Sequence, residues 1–177
     1  MDKIFEPILD KNENIIEIIK PNKKMVFLSS FISSFLILLI MFAIGCVPFF
    51  VTGEVEVMWI FIPIIIFIVL EALIMMFTAF YYNKTFFAYT NKRVIVRTGI
   101  IGADFRSLDI KMIGAIDVEV GLLDKLIHQN TGSIRFGSMS SPINNQTGGG
   151  VVFASITNPY ETYKKIKEYI EESKSNS

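Results

Sequence analysis

The sequence predicts an α+β protein: a hairpin of two long apolar helices joined to a β-rich region that ends in a helix. Three observations carry this. Residues 25–53 contain no charged side chain, and residues 57–82 contain only Glu71. From residue 85 onward, short β-branched runs alternate with turn residues. After Ile156 the pattern changes to a capped, amphipathic helical period.

The two apolar runs are read as membrane spans. A hydrocarbon core about 30 Å thick takes roughly 20 helical residues to cross, and each run is long enough. With no water at that depth the backbone must satisfy its own hydrogen bonds, which a helix does within one segment. A soluble hairpin buried in a core is the alternative, but a 177-residue chain has too little other material to cover it. The first run is also too long and starts too late for a signal peptide, and lacks a small-residue cleavage site. The chain therefore divides into an N-terminal segment 1–24, a transmembrane hairpin 25–82, a soluble domain 83–172 and a solvated, disordered tail 173–177.

Charge sets the orientation. Residues 1–24 carry five basic and five acidic groups, residues 25–82 only Glu54, Glu56 and Glu71, and residues 83–177 twelve basic and nine acidic. Lys20, Lys23 and Lys24 precede the first span, and Lys84, Lys92 and Arg93 follow the second. The link Thr52-Gly53-Glu54-Val55-Glu56 has no basic residue. Positive flanks stay on the cytoplasmic side, so both termini are expected inside a cell membrane, with the link outside.

Within residues 1–13 there is Pro7 and no clean period. Asn14 to Lys20 places four isoleucines in seven residues before Pro21, which favours a strand over a surface-lying amphipathic segment. The first span carries Ser29, Ser30, Ser33 and Ser34, small hydroxylated residues that let helices approach closely. Pro48 lies near its outer end, where a break costs little. Pro63 marks a mild kink in the second span. Trp59 suits the outer interface and Tyr81 and Tyr82 the inner one, because their rings are amphipathic.

Glu71 is the one ionisable group at depth, and an intramembrane carboxyl is a functional hypothesis by default. In an antiparallel hairpin it lies level with Ser33 and Ser34. The expected role is a polar contact with one of those serines or with a second copy of the chain.

Strands are expected at about 85–90, 93–98, 105–110, 114–120, 132–137 and 151–156, with a turn at Asn91-Lys92 and a helical turn at 121–128. Asn158 is placed as an N-cap, Pro159 at the first helical position and Glu161 at a capping-box spacing. Tyr163, Ile166 and Ile170 then line one helix face.

The chain offers little catalytic chemistry. His128 is the only histidine and Cys46, the only cysteine, lies in the first span. There are thus no parts for a cysteine–histidine pair, a disulfide or a metal cluster. No nucleophile elbow surrounds any serine. Gly148-Gly149-Gly150 precedes a strand rather than a helix, so it lacks the helix start of a phosphate cradle. Asp117 and Glu119 read as a solvated pair. The basic residues are scattered without aromatic interleaving, which argues against nucleic acid. No enzyme and no cofactor are expected.

The stretch Tyr89-Thr90-Asn91-Lys92-Arg93-Val94-Ile95-Val96-Arg97, followed by Gly99-Ile100-Ile101, resembles the start of bacterial pleckstrin-homology-like (PH-like) domains attached to membrane spans. Ile116-Asp117-Val118, Gly132-Ser133-Ile134-Arg135-Phe136 and Asn158-Pro159 are similar to later parts of that pattern. The resemblance covers about residues 83–172 and includes no catalytic signature. It implies a small antiparallel β-barrel closed at one end by the C-terminal helix, used for recognition and assembly.

Such a barrel has seven strands, and only six lie downstream of the hairpin. Asn14–Lys20 is the remaining candidate, so the hairpin is expected as an insertion between strands one and two. By the same geometry, the loops Gly99–Asp104 and Met139–Gly150 share the barrel end next to the insertion, with Ile100 and Ile101 facing the bilayer.

Two functional classes follow. One is a membrane-anchored interaction module that recognises a protein, peptide or lipid head group at the cytoplasmic face, its contacts being membrane lipid, a protein partner or itself. The other is a small transport or channel accessory subunit using Glu71. The first is preferred, because proton and ion paths need several polar groups and Glu71 stands alone. The topology is testable: a reporter fused after Ser177 should be active only on the cytoplasmic side, and activity outside would overturn the orientation.

Overall fold

The computed structural model describes residues 4–52, 57–127, 130–139 and 150–175, with side chains described at 4–45, 61–127, 130–139 and 150–172. The chain divides into two units, Val26–Asn83 and Met1–Met25 with Lys84–Ser177.

The first unit holds most of two helices, α1 (Lys23–Thr52) and α2 (Val57–Lys84). Both are long and apolar enough to cross a membrane, and almost none of either is buried inside the chain. The helix α1 runs through Pro48 without a break, and α2 runs through Pro63. The ends of the hairpin meet where Phe27 and Tyr82 touch edge to face, 6.0 Å between ring centroids. Phe67 touches Phe35 and Phe42 further along. Glu54 and Glu56, and the side chain of Trp59, lie outside the described residues.

The second unit is built on seven antiparallel strands. One sheet has the order β1 (Ile15–Ile19), β2 (Phe86–Thr90), β3 (Arg93–Thr98) and β4 (Asp104–Asp109). The other has β5 (Ile113–Glu119), β6 (Thr131–Ser138) and β7 (Val151–Thr157). A 3-10 turn, Ile110–Met112, joins the sheets, a short helix α3 (Leu122–Leu126) joins β5 to β6, and α4 (Pro159–Ser175) ends the domain. The strand β1 lies before the hairpin and β2 after it, yet they pair directly, with Glu17 opposite Tyr89 and Ile19 opposite Phe87. Tyr89 donates its phenolic proton to Glu17 at 3.0 Å. Burial and that hydrogen bond push the phenol up to about 12, so it stays a donor.

Every residue of β2 is buried, so the usual alternation of one wet and one dry face is absent. On one face Phe87, Tyr89, Val94 and Val96 join Ile134, Phe136, Phe153 and Ile156 of the second sheet, and α4 closes that core with Ile166 and Ile170. The rings of Phe87 and Phe153 stack with centroids 5.0 Å apart. On the other face Phe86, Ala88 and Ile95 are covered by Phe5, itself fully buried, with Ile4, Ile8 and Leu9 around it.

A buried carboxylate holds this N-terminal cover in place. Glu13 accepts from Arg93 Nε at 2.9 Å and Nη2 at 2.8 Å, from the Thr90 hydroxyl at 2.7 Å and from the Asp10 N–H at 2.9 Å. Arg93 Nη2 also donates to the Ile8 carbonyl at 2.7 Å. Burial opposes the charge on Glu13, but the hydrogen bonds from Arg93, Asp10 and Thr90 outweigh it and lower its pKa from 4.5 to about 2. Arg93 is raised in turn, chiefly by the Glu13 hydrogen bond.

One expectation needs correction. Asn158 is not an ordinary N-cap: its φ is +52°, and its side-chain oxygen accepts from Asn130 Nδ2 at 2.8 Å. It reaches Glu161 only through its own amide, at 3.4 Å. The cap geometry gives way because Asn158 instead fastens the helix start to Asn130, whose carbonyl takes its N–H. Gly99–Asp104 follows the Thr98/Asp104 end of β3 and β4. Of the other loop expected beside it, Met139 donates to the Met112 carbonyl, and residues 140–149 lie outside the described residues.

Breaking a buried pair leaves an uncompensated charge, so Glu13→Ala should cost about 3 kcal/mol in the unfolding of the detergent-solubilised full chain. The pH dependence has a definite sign. The folded pKa of Glu13 lies below the unfolded one, so its contribution is complete above pH 4.5 and is lost as pH falls towards 2. Acid titration of unfolding, followed by circular dichroism, should show that component in the parent and not in Glu13→Gln.

Candidate functional site

Three places concentrate polar or exposed chemistry. The first is a seam along the hairpin. Serine at 34 and glutamate at 71 put polar groups at the same level of antiparallel helices, and Ser34 Oγ lies 2.9 Å from Glu71 Oε1. One turn away on α1 and two on α2, the hydroxyls of Ser30 and Thr78 are 2.7 Å apart. Ser34 also reaches the carbonyls of Ser30 and Phe31, and Thr78 that of Ile74, the back-bonding that hydroxylated residues use inside helices. Ser33 lies on the exposed side of α1 and takes no part. Glu71 Oε2 is buried and has no hydrogen-bond partner among the described residues. Thr78 was not singled out from the sequence. Its spacing of seven from Glu71, matched to Ser30 and Ser34, was the available signal.

The second place is the loop between β3 and β4. Gly99 has φ +117°, and a Cβ there would sit 2.7 Å from the Gly102 carbonyl oxygen, so the turn requires glycine. The turn puts Ile101 fully into solvent and Ile100 at 36% exposure. Lys84, the last residue of α2, donates to the Ile100 carbonyl at 2.6 Å, fixing the loop to the point where the chain re-enters the domain. Nearby, Lys20 sits 4.9 Å over the ring of Phe86, with the Arg97 guanidinium 6.0 Å from the same ring. Arg97 Nε is buried without a hydrogen-bond partner among the described residues. Tyr81 is half exposed and Tyr82 packs on Phe27.

The third is a shallow groove of about 200 Å³ between β5 and α4, lined by Ile113, Ile116, Tyr163 and Ile170 with Lys167 and Glu171 at its rim. Beside it, Glu119 is ion-paired with Arg135 at 2.5 Å, and Asp117 faces the same arginine in register. Among the described residues no three histidine, cysteine, aspartate or glutamate side chains cluster as metal ligands. His128, Gly148 and Gly149 lie outside the described residues.

Two sheets of four and three strands with a C-terminal helix across one core define a PH-like α+β domain. The chain belongs to the bacterial PH domain family, whose model matches residues 28–170, a span that takes in most of the hairpin as well as β2 to β7. A crystal structure of a DUF1696 family protein with a pleckstrin-homology domain, from Shewanella loihica PV-4, is similar at 11% identity. That similarity covers 96% of this chain and 92% of that one, with a TM-score of 0.44. No curated protein matches the chain.

The seam predicts a mild phenotype. Side-chain hydrogen bonds inside a membrane contribute about 0.6 kcal/mol on average, so on the reading of the hairpin as two spans Glu71→Leu should leave insertion intact and change helix contact only slightly. Protease protection of the hairpin in membranes measures this, and loss of insertion would refute it.

Proposed function

We propose that α1 and α2 anchor the chain in a cell membrane and that its PH-like domain is a non-catalytic interaction module on the cytoplasmic face. It recognises a protein, peptide or lipid head group there. The observation that carries this reading is the pairing of β1 with β2. The domain is assembled from chain on both sides of an apolar hairpin, so it is tethered at two points. The scarcity of buried residues along the described parts of both helices supports the anchor, since helices this apolar do not remain in water. The exposed Ile100–Ile101 tip, tied to the last residue of α2, suits contact with the bilayer interface.

Transport through Glu71 is the competing reading. The hydroxyls around it are engaged with helix carbonyls and with each other, which suits a helix contact better than a conduction path. Photo-crosslinking from position 101 in intact membranes should give a discrete lipid or protein adduct that persists in Glu71→Gln. Proton or cation flux through the reconstituted chain that disappears in Glu71→Gln would replace this reading with the transport one.

A further inference from the structure

The helix α3 carries an exposed apolar pair. Leu122 is 79% exposed and Leu126 74%. Four residues apart, they share one side of the helix. Asp124, midway between them, turns the other way, accepting from the Thr131 hydroxyl and the Gly121 N–H. That carboxylate fixes α3 to the start of β6 and leaves both leucines facing outward.

The same corner of the domain holds the start of α1. The Asn22 N–H donates to the Ser155 carbonyl at 2.6 Å and its side-chain amide to the Thr157 hydroxyl at 3.1 Å. Its side-chain oxygen accepts from the Met25 N–H at 3.2 Å, capping the helix. Thr157 is the register partner of Thr131. Lys23 and Lys24 are therefore held beside the strand ends to which α3 is fastened. Together with Asn22, Asn130, Thr131 and Thr157 they line an open cleft of about 470 Å³.

We propose that this corner is a second membrane-contact surface, in which Leu122 and Leu126 enter the bilayer interface and Lys23 and Lys24 hold the phosphates of anionic lipids in the cleft. It rests on the reading that α1 enters the membrane. Lipid is the occupant because the surface is continuous with that entry: from Met25 to Gly53 the chain has no charge, so the turn carrying Lys23 and Lys24 lies at head-group depth. The charge is complementary as well. Lys23, Lys24 and Lys125 are exposed here, while the carboxylate of Asp124 is turned to Thr131 and Gly121 and Glu161 lies by Asn158 beyond Asn130. Short basic and apolar segments of this kind partition into the interface, the lysine stems lying along the apolar zone with their ammonium groups at the phosphates. The surface differs from the Ile100–Ile101 tip, which sits beside the end of α2.

The test uses the full chain in a Cys46→Ser background, with a nitroxide on Leu122→Cys, Leu126→Cys, Met112→Cys or Ile37→Cys. Met112 is a solvent-exposed control far along the domain, and Ile37 is an exposed position on α1. Paramagnetic accessibility to oxygen and to a water-soluble nickel chelate is measured in vesicles of phosphatidylethanolamine and phosphatidylglycerol. Positions 122 and 126 should lose nickel accessibility relative to 112. Adding Lys23→Gln with Lys24→Gln, or using phosphatidylcholine alone, should restore it. If 122 and 126 remain as accessible as 112 while 37 is protected, this surface is wrong and the anchor stands. If 37 is accessible too, the anchor fails and the proposal with it. Protection that survives both the lysine changes and neutral lipid overturns the head-group cleft. Protection that disappears on diluting the protein in lipid assigns the leucines to a second copy and overturns the proposal.

Discussion

Pairing of Ile15–Ile19 with Phe86–Thr90 closes the first sheet, and the rest of the domain is arranged to make that pairing hold. Without β1, the backbone of β2 would present an open edge, the kind of edge that invites aggregation. Without residues 4–9, the outward face of β2 and β3 would expose Phe86, Ala88 and Ile95. Glu13 secures both at once, because its partners Thr90 and Arg93 flank the turn between those strands. A charge this buried is stable only when all its oxygens are answered, and here they are. The tyrosine–glutamate bond across β1 and β2 adds a second polar link on the core side.

The hairpin follows a different economy. Among the described residues its exposed side chains are mostly apolar, Ser33 aside, and two polar pairs meet between the helices: Ser30 with Thr78 and Ser34 with Glu71. On the proposed reading of the hairpin as membrane spans, these contacts would add little binding energy, since the unfolded alternative also finds partners. Their effect is on register, because sliding either helix by one turn would separate both pairs together. Aromatic contacts of Phe67 with Phe35 and Phe42 fill the apolar stretch beyond them.

Much of this was legible in residue order. The two helices could be read from length and absence of charge. The strand β3 showed in Val94-Ile95-Val96, and the face of α4 in Tyr163, Ile166 and Ile170, because those signals are local. Residues 4–13 showed no period because their form is imposed from afar: Phe5 is buried by strands more than eighty positions on, and Glu13 by Arg93. The unbroken burial of β2 was present in Phe86-Phe87-Ala88-Tyr89 as a run apolar on both faces, which implies a second covering layer. Asn158 does hold the N-cap position, its carbonyl taking the Thr162 N–H, but its side chain is used elsewhere. Its local spacing is that of a cap, but a distant amide, Asn130, claims the oxygen that a cap would use. The exposed leucines of α3 were not distinguishable, since a short apolar helix looks the same whether its face is covered or bare.

Splitting the first sheet across the hairpin also orders events during synthesis. The first strand leaves the ribosome long before its partner, with both long helices still to be made. An unstructured connection of that length would carry a substantial closure penalty before any pairing could offset it. Two antiparallel helices remove most of it, because the hairpin returns the chain to where it began: Phe27 and Tyr82 touch at its base. On the proposed membrane reading, helix insertion would precede sheet assembly and act as its jig.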